Sequence, residues 1–478
     1  MLYYWQAMVA YKVFGVSDWA ARLPSAIDAT LMVVAVFLFL RRFRPGLELD
    51  GALITASAAG IIGFARAASM DMALAATFTI AMLAWYVWNE SANKIYLAVF
   101  YGFIALGTLA KGPIAPFLAA VVVIALAVTQ KDLKIAIKML WIPGLLIFLL
   151  VALPWYIAVQ LRNPEFFRVF ILEHNFSRFG TNRYHHPQPI WFYVPVVIVA
   201  LLPWIVFAVA ALGETLRAWW KQKGTAHRPQ DLFNLFLAIW FVLPILFFSL
   251  SQSKLPGYIL PALPAATLLL SVYVRSRSES SEKSSPILVI LHSVMAAALP
   301  ALAFLMQFIV VQHRLSLNRA TLLALALTIV LSLAIGLTLR QRPGLRLLRF
   351  VTLVPVILAI AAVLRLDAHF LDERFSTRLL SDSIGHIDNS SLPTAVFNVS
   401  REIEYGLHFY RNQRIARYES GEIPAGEHIL VAPRALTIEQ LNEKLSGRRV
   451  SYLGSDQPQG LDYFWVSAPG MTMDHMKM

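Results

Sequence analysis

Four short segments of the chain carry groups that could do chemistry together. Asp71 stands in SMDMAL with Arg66 shortly before it, Lys111 in LAKGP, His174, Asn175 and Arg178 in ILEHNFSRF, and Lys254 and Tyr258 in SKLPGY. A carboxylate in such a position accepts a proton or stabilises positive charge. Lysine and arginine hold anions, and arginine offers a planar fork that matches phosphate. Each segment also has a plainer structural reading. Asp71 can serve as a polar helix cap, Lys111 can reach toward lipid headgroups, and Pro256 with Gly257 can simply shape the start of a helix. His185 and His186, flanked by Pro187 and Pro189, suit a loop tip. His174 is the one candidate metal ligand for a divalent ion, and zinc normally takes several protein ligands. Taken together, one carboxylate, several cations and an imidazole suit the transfer of a group from a phosphate carrier. The cations would stabilise the phosphate as it leaves.

The elements that must position these groups are apolar. Of 478 residues 58% are hydrophobic and 14% charged, against roughly 45–50% and 25% in average soluble domains. The net charge of +13 comes from short basic clusters between apolar runs, which argues for membrane topology and against a nucleic-acid partner. Cysteine is absent, so no disulfide framework or thiolate metal site is expected. Stretches long enough to cross a bilayer, about 17–25 residues, lie near 23–40, 52–66, 70–88, 95–110, 112–129, 139–160, 190–212, 232–250, 256–274, 286–311, 320–339 and 347–366. The second is rich in small residues, which suit close helix packing. Basic residues accumulate in cytoplasmic loops, and Arg41, Arg42, Arg44, Lys94, Lys131, Lys134, Lys138, Arg217, Lys221, Arg275, Arg340 and Arg346 fall in alternate loops. The candidate site residues therefore gather on the opposite, outer side. Within the long outer loop, 161–189, the amphipathic run PEFFRVFILEHN is expected to lie in the interface plane.

The predicted fold is an all-α polytopic membrane bundle of about twelve spans with a small C-terminal α/β domain. The expected divisions are an outer interfacial segment 1–22, a membrane domain 23–366 and a soluble domain 367–478. In the last, Thr394–Val399, Glu404–Tyr410, Glu427–Val431 and Tyr463–Val466 read as strands. Thr437 and Gln440 resemble a capping box opening a helix that Gly447 ends. The tail MTMDHMKM reads as a polar end.

At this point the chain resembles the bacterial branch of the dolichyl-phosphate-mannose protein mannosyltransferase family, of the lipid A aminoarabinose transferase type. The stretches that carry the resemblance are YYWQAMVAYKVFGVSDWAARLPSA, SMDMAL, LAKGP, LPWYIAVQLRNPEFFRVFILEHNFSRF and SKLPGYILPALP, in that order over about the first 270 residues. The resemblance implies a GT-C fold and an inverting glycosyltransferase of the bacterial inner membrane, with its C-terminal domain in the periplasm. The donor implied is a sugar on a polyprenyl phosphate, typically undecaprenyl phosphate. The acceptor implied is lipid A or another envelope molecule.

Carried over residue by residue, Asp71 matches an acidic position near the family's active site and is expected to support acceptor activation. Lys111 matches the Lys-Gly turn, and Tyr258 a tyrosine that contacts the carrier phosphate. His174 and Arg178 match the outer helix that approaches the metal or phosphate, with Arg183 as an alternative cation. Family members begin with a further span, an outer loop bearing the principal catalytic Asp, and a Glu-Lys-Pro stretch before YYW. The chain starts at that last segment, so the resemblance implies a truncated member that lacks the family's principal catalytic Asp. Two other classes stand beside the enzyme: a flippase for lipid-linked sugar, and an inactive membrane scaffold. A flippase would place polar groups near the bilayer midplane in corresponding halves of the chain, whereas these gather at one face.

Overall fold

The structure, a computed structural model, describes residues 1–169, 188–221, 229–279, 285–312, 319–341, 344–388, 392–435, 445 and 448–469. It divides into two compact units, Met1–Ala301 with Leu322–Leu358, and Leu302–Thr321 with Ala359–Met478.

The first unit is a helical bundle. Its helices are α1 (Leu2–Phe14), α2 (Asp18–Phe43), α3 (Glu48–Ser57), α4 (Ala59–Ala65), α5 (Met70–Ser91), α6 (Lys94–Lys111), α7 (Ile114–Thr129), α8 (Lys134–Met139) and α9 (Ile142–Arg162), then α10 (Tyr193–Ala200), α11 (Ile205–Lys221), α12 (Pro229–Ser249) and α13 (Leu263–Glu279). It also holds most of α14 (Pro286–Gln312), α15 (Arg319–Arg340) and α16 (Leu348–Ala362). Among the described residues nine helices are long and apolar enough to cross a membrane, and two bent pairs qualify if each counts as one span. With the shorter apolar helix Ile114–Thr129 these match the twelve apolar stretches of the sequence. The bundle also exposes large apolar side chains along its flanks, Leu150 at 74% and Val330 at 65%. Exposed apolar surface of that extent is a membrane surface, and the chain is an integral membrane protein.

Three spans differ from the sequence reading. The stretch 52–66 is broken at Ala58 into α3 and α4, bent by 65°, and 190–212 is broken into two helical pieces bent by 117°. The reason is mutual bracing. The Ala59 N–H donates to the Leu202 carbonyl at 3.0 Å, and the Trp204 indole N–H donates to the Ser57 hydroxyl at 3.0 Å. Backbone freed by one break is satisfied by the other, as the apolar interior requires. Gly60 permits this approach, because a Cβ there would lie 2.8 Å from the Ala200 Cβ. The last apolar helical run continues to Phe375, past the expected end at 366.

Helix ends follow local chemistry. Ser17 caps α2, accepting from the Ala20 N–H at 3.2 Å, and Asn93 caps α6, accepting from the Ile95 N–H at 3.0 Å. Ala92, with φ +55°, turns the chain between α5 and α6, so these neighbours run antiparallel. α5 is the centre of the bundle: Phe78 and Trp85 are fully buried, with Phe78 against Trp240 and Trp85 against Phe236. At the basic end, Arg44 pairs with Glu90, Arg277 with Glu214, and Arg349 with Asp50.

The second unit contains a five-stranded sheet ordered β2-β1-β3-β5-β4, made of β1 (Thr394–Val396), β2 (Ala416–Arg417), β3 (His428–Pro433), β4 (Val450–Asp456) and β5 (Leu461–Val466). β1 is parallel to β2 and β3, and β5 is antiparallel to β3 and β4. The helices α17 (Ala368–Phe375), α18 (Arg378–Asp388) and α19 (Arg401–Arg411) belong to the same unit. The stretch Glu404–Tyr410, expected as a strand, is instead within α19. Its alternation of polar and apolar residues imitates a strand, but Ile403 and Leu407, four apart, share the face that packs on the sheet. β4 and the two-residue β2 were missed. The expected helix around Thr437 and Gln440 lies outside the described residues.

His428 is fully buried in this sheet. Its Nδ1 donates to the Gly426 carbonyl at 2.9 Å, and its Nε2 accepts from the Tyr418 hydroxyl. Burial pushes the imidazole below its ordinary value of 6.5, the Gly426 carbonyl opposes this, and Arg448 adds to it. The unfolded chain therefore takes up a proton that the folded domain resists. Stability present above pH 6.5 is expected to fall as pH drops toward the lowered folded value. Amide exchange of β3, corrected for intrinsic rate, should show protection declining over that range; constant protection would contradict this role for His428.

Candidate functional site

The hairpin of α5 and α6 brings the first turn of one helix beside the last turn of the other. Acids are favoured at helix N-termini and cations at C-termini. Asp71 occupies the first turn of α5 and Lys111 the last turn of α6, so the two meet as an ion pair. Ser69 caps α5, its hydroxyl accepting from the Asp71 N–H at 3.4 Å and donating to Asp71 Oδ2 at 3.3 Å. Gly112, with φ +82°, ends α6 and returns its N–H to the Thr108 carbonyl at 2.7 Å.

The third component is the 3₁₀ segment Pro256–Ala262 that leads into α13. It places the Tyr258 ring under the lysine, with Lys111 Nζ 4.6 Å from the ring centroid. Gly257 makes this approach possible: a Cβ there would sit 2.7 Å from Asp71 Cγ. The side chains of Lys111 and Asp71 remain 22% and 18% exposed, while Tyr258 is buried. A cation is thus held between a carboxylate and an aromatic face, with one side open. It can exchange its carboxylate for another anion.

Lys254 is buried, and its ammonium donates to the Ser251 carbonyl at 2.5 Å and the Gln188 carbonyl at 2.8 Å. It fastens the turn before the 3₁₀ segment, and its described hydrogen bonds are to the backbone. Arg66 ends α4, is exposed, and makes no described ion pair with Asp71. His174, Asn175, Arg178 and Arg183 lie outside the described residues, as do His185 and His186. No group of three or more potential metal ligands occurs among the described residues. Sequence reasoning gave Gly257 only a helix-shaping role, and it missed Ser69 and Tyr193, whose hydroxyl donates to the Leu255 carbonyl at 3.2 Å. It also missed Asp28, a buried acid inside the first span. Intramembrane acids are rare enough that Asp28 itself was a signal.

Beside Pro256 lies an apolar cavity of about 350 Å³, lined in part by Gly60, Phe64, Val196, Ile259 and Leu263. Pro256 lines it and precedes Gly257, the residue that Asp71 approaches.

Residues 1–157 match the family model described as dolichyl-phosphate-mannose-protein mannosyltransferase. The match shows that the first third of the chain is similar to members of this family. Among its curated relatives, undecaprenyl phosphate-alpha-4-amino-4-deoxy-L-arabinose arabinosyl transferase 1 of Pseudomonas fluorescens is 28% identical over 433 residues, covering 84% of this chain and 74% of the relative. The corresponding transferase of Pseudomonas aeruginosa is 32% identical over 278 residues, covering 56% and 48%. Over that match the chain spans about half of the relative's length. The crystal structure of ArnT from Cupriavidus metallidurans bound to undecaprenyl phosphate matches with a TM-score of 0.74 at 19% identity, covering 97% of this chain and 87% of that one. That likeness shows that the two share the GT-C fold.

Proposed function

We propose that the chain is a glycosyltransferase of the bacterial inner membrane, moving a sugar from a polyprenyl phosphate to lipid A or another envelope acceptor on the periplasmic face. The observation that carries this reading is the open ion pair of Lys111 and Asp71, with an apolar cavity lined in part by Pro256, the neighbour of Gly257. A lipid phosphate needs both parts, a cation for its head and an apolar channel for its chain. The relatives' names supply the donor class, undecaprenyl phosphate carrying an amino-arabinose.

In this reading the incoming phosphate takes over Lys111, with Tyr258 backing the ammonium. Asp71, released from the lysine, is then able to take the proton of the attacking acceptor hydroxyl. The bond from the sugar to the phosphate oxygen breaks as the acceptor oxygen attacks, and the electron pair leaves on the phosphate beside Lys111. Arg66, Lys254, His174, Asn175 and Arg178 support the same outer face in this proposal, and the sheet-bearing unit stands in the periplasm.

Asp71→Asn tests the division of labour. Transfer to lipid A in membrane vesicles is expected to fall by about 10²–10⁴-fold, the usual contribution of a positioned base. Carrier binding should persist or tighten, because Lys111 loses its competing carboxylate. Undiminished transfer would remove Asp71 from the mechanism.

A further inference from the structure

Asp28 is 4% exposed in the middle of α2, where an unpaired carboxylate is costly. Its Oδ1 accepts from the Gln6 amide N–H of α1 at 2.9 Å. Two atoms of this pair are left over, Asp28 Oδ2 and Gln6 Oε1, both buried and without a partner among the described residues. As written they are two acceptors facing no donor, an arrangement that buried polar groups avoid. One proton on Asp28 repairs both at once. A carboxylic acid has one donor as well as acceptors, so Oδ2–H can donate to Gln6 Oε1 while Oδ1 continues to accept from Gln6 Nε2.

We propose that Asp28 is held as a neutral acid in a cyclic acid–amide pair with Gln6, and that this pair is a positioning device for the outer site. The inference rests on the functional reading only for its second half. α1 lies across the elements that carry the ion pair: Tyr3 and Ala7 pack with Ala73 and Leu74 of α5, with Ala110 of α6, and with Ala115 just after the turn. The Tyr3 hydroxyl donates to the Ala21 carbonyl of α2 at 2.9 Å. One turn from Asp28, the Ser25 hydroxyl donates to the Ser69 carbonyl at 3.2 Å, and Ser69 is the cap that holds Asp71. The acid–amide pair therefore locks α1 to α2, and together they fix the start of α5 and the end of α6.

Three variants of the membrane-inserted chain test this. In Asp28→Asn an amide replaces the acid and can make both bonds to Gln6 without any titratable proton, so thermal stability and carrier binding should stay within about twofold of the parent. Asp28→Leu and Gln6→Leu remove one side of the pair and leave a buried polar partner, so both should melt lower and bind carrier about tenfold or more weakly. A direct readout needs no activity at all. The infrared difference between the parent and Asp28→Asn at neutral pH should contain the carbonyl band of a protonated carboxylic acid. Carboxylate bands in its place, or an Asp28→Asn variant as damaged as Asp28→Leu, would overturn the proposal. A protonated-acid band with variants that alter stability but not carrier binding would overturn the positioning half alone. Failure of the transferase reading would instead leave every variant and the parent equally unable to bind carrier, with the infrared band unchanged.

Discussion

Lys111→Met is expected to weaken polyprenyl-phosphate binding by about 10- to 100-fold, the equivalent of roughly 1.5–3 kcal/mol for a lost hydrogen bond to a charged group. Transfer should fall further, by about 10²–10³-fold, since the same cation faces the charge that develops on the leaving phosphate. Methionine keeps the length of the side chain and its contact with the Tyr258 ring, so the loss reports charge and not packing. It also leaves Asp71 without its described salt-bridge partner, a carboxylate only 18% exposed. Part of any drop in stability is therefore the cost of an uncompensated charge. Comparing Lys111→Met with Lys111→Met combined with Asp71→Asn separates the two. The double variant should recover stability and not carrier binding.

Gly257→Ala is expected to be nearly as damaging to transfer, although it adds one methyl group. The new Cβ would meet Asp71 at 2.7 Å from Cγ, 2.8 Å from Oδ2 and 2.9 Å from Oδ1, distances at which something must move. The 3₁₀ segment that holds the glycine is buried from Gly257 to Ala262, so the carboxylate gives way and leaves Lys111. Overpacking of this kind costs roughly 1–3 kcal/mol. The decisive comparison is with Asp71→Ala, which removes the obstructing group. If Gly257→Ala is harmful alone and adds nothing to Asp71→Ala in melting temperature and transfer, the two positions share one contact. Simple additivity would place the harm of Gly257→Ala elsewhere.

Much of this site was visible in the sequence because helix ends and membrane faces obey local rules. Asp71 and Lys111 stood out as charges at the ends of apolar runs, on the side opposite the basic loops. The twelve apolar stretches were likewise set by length and hydropathy. What the sequence could not show was pairing across distance. Nothing in SMDMAL or LAKGP states that the two charges face one another; the turn at Ala92 decides that. Lys254 carried the same outward signal as Lys111, yet its ammonium is taken up by two backbone carbonyls. Gly257 looked like a helix breaker, and its function as the gap that admits Asp71 depends on a helix nearly two hundred residues earlier.

The broken spans were hidden for a related reason. TASAAGIIGFA reads as one weak span, but its small residues admit Ala200 and Leu202 of a distant segment, and that contact lets the helix bend. In the sheet-bearing unit, Glu404–Tyr410 shows both a strand-like alternation and a helical four-residue spacing. Packing of Ile403 and Leu407 on the sheet settles the helix. Asp28 was overlooked because an acid inside an apolar run lowers the hydropathy average only slightly.

The most direct test of the central claim is the distance between the carrier's phosphorus and a lysine nitrogen. The chain is reconstituted in bilayers with ¹⁵N-labelled lysine and polyprenyl phosphate, and ³¹P–¹⁵N dipolar couplings are measured by solid-state NMR. A coupling of hydrogen-bond-range strength that disappears in Lys111→Met is the expected result. A bound carrier whose phosphorus shows no coupling to lysine, or a coupling that persists in Lys111→Met, would contradict the account.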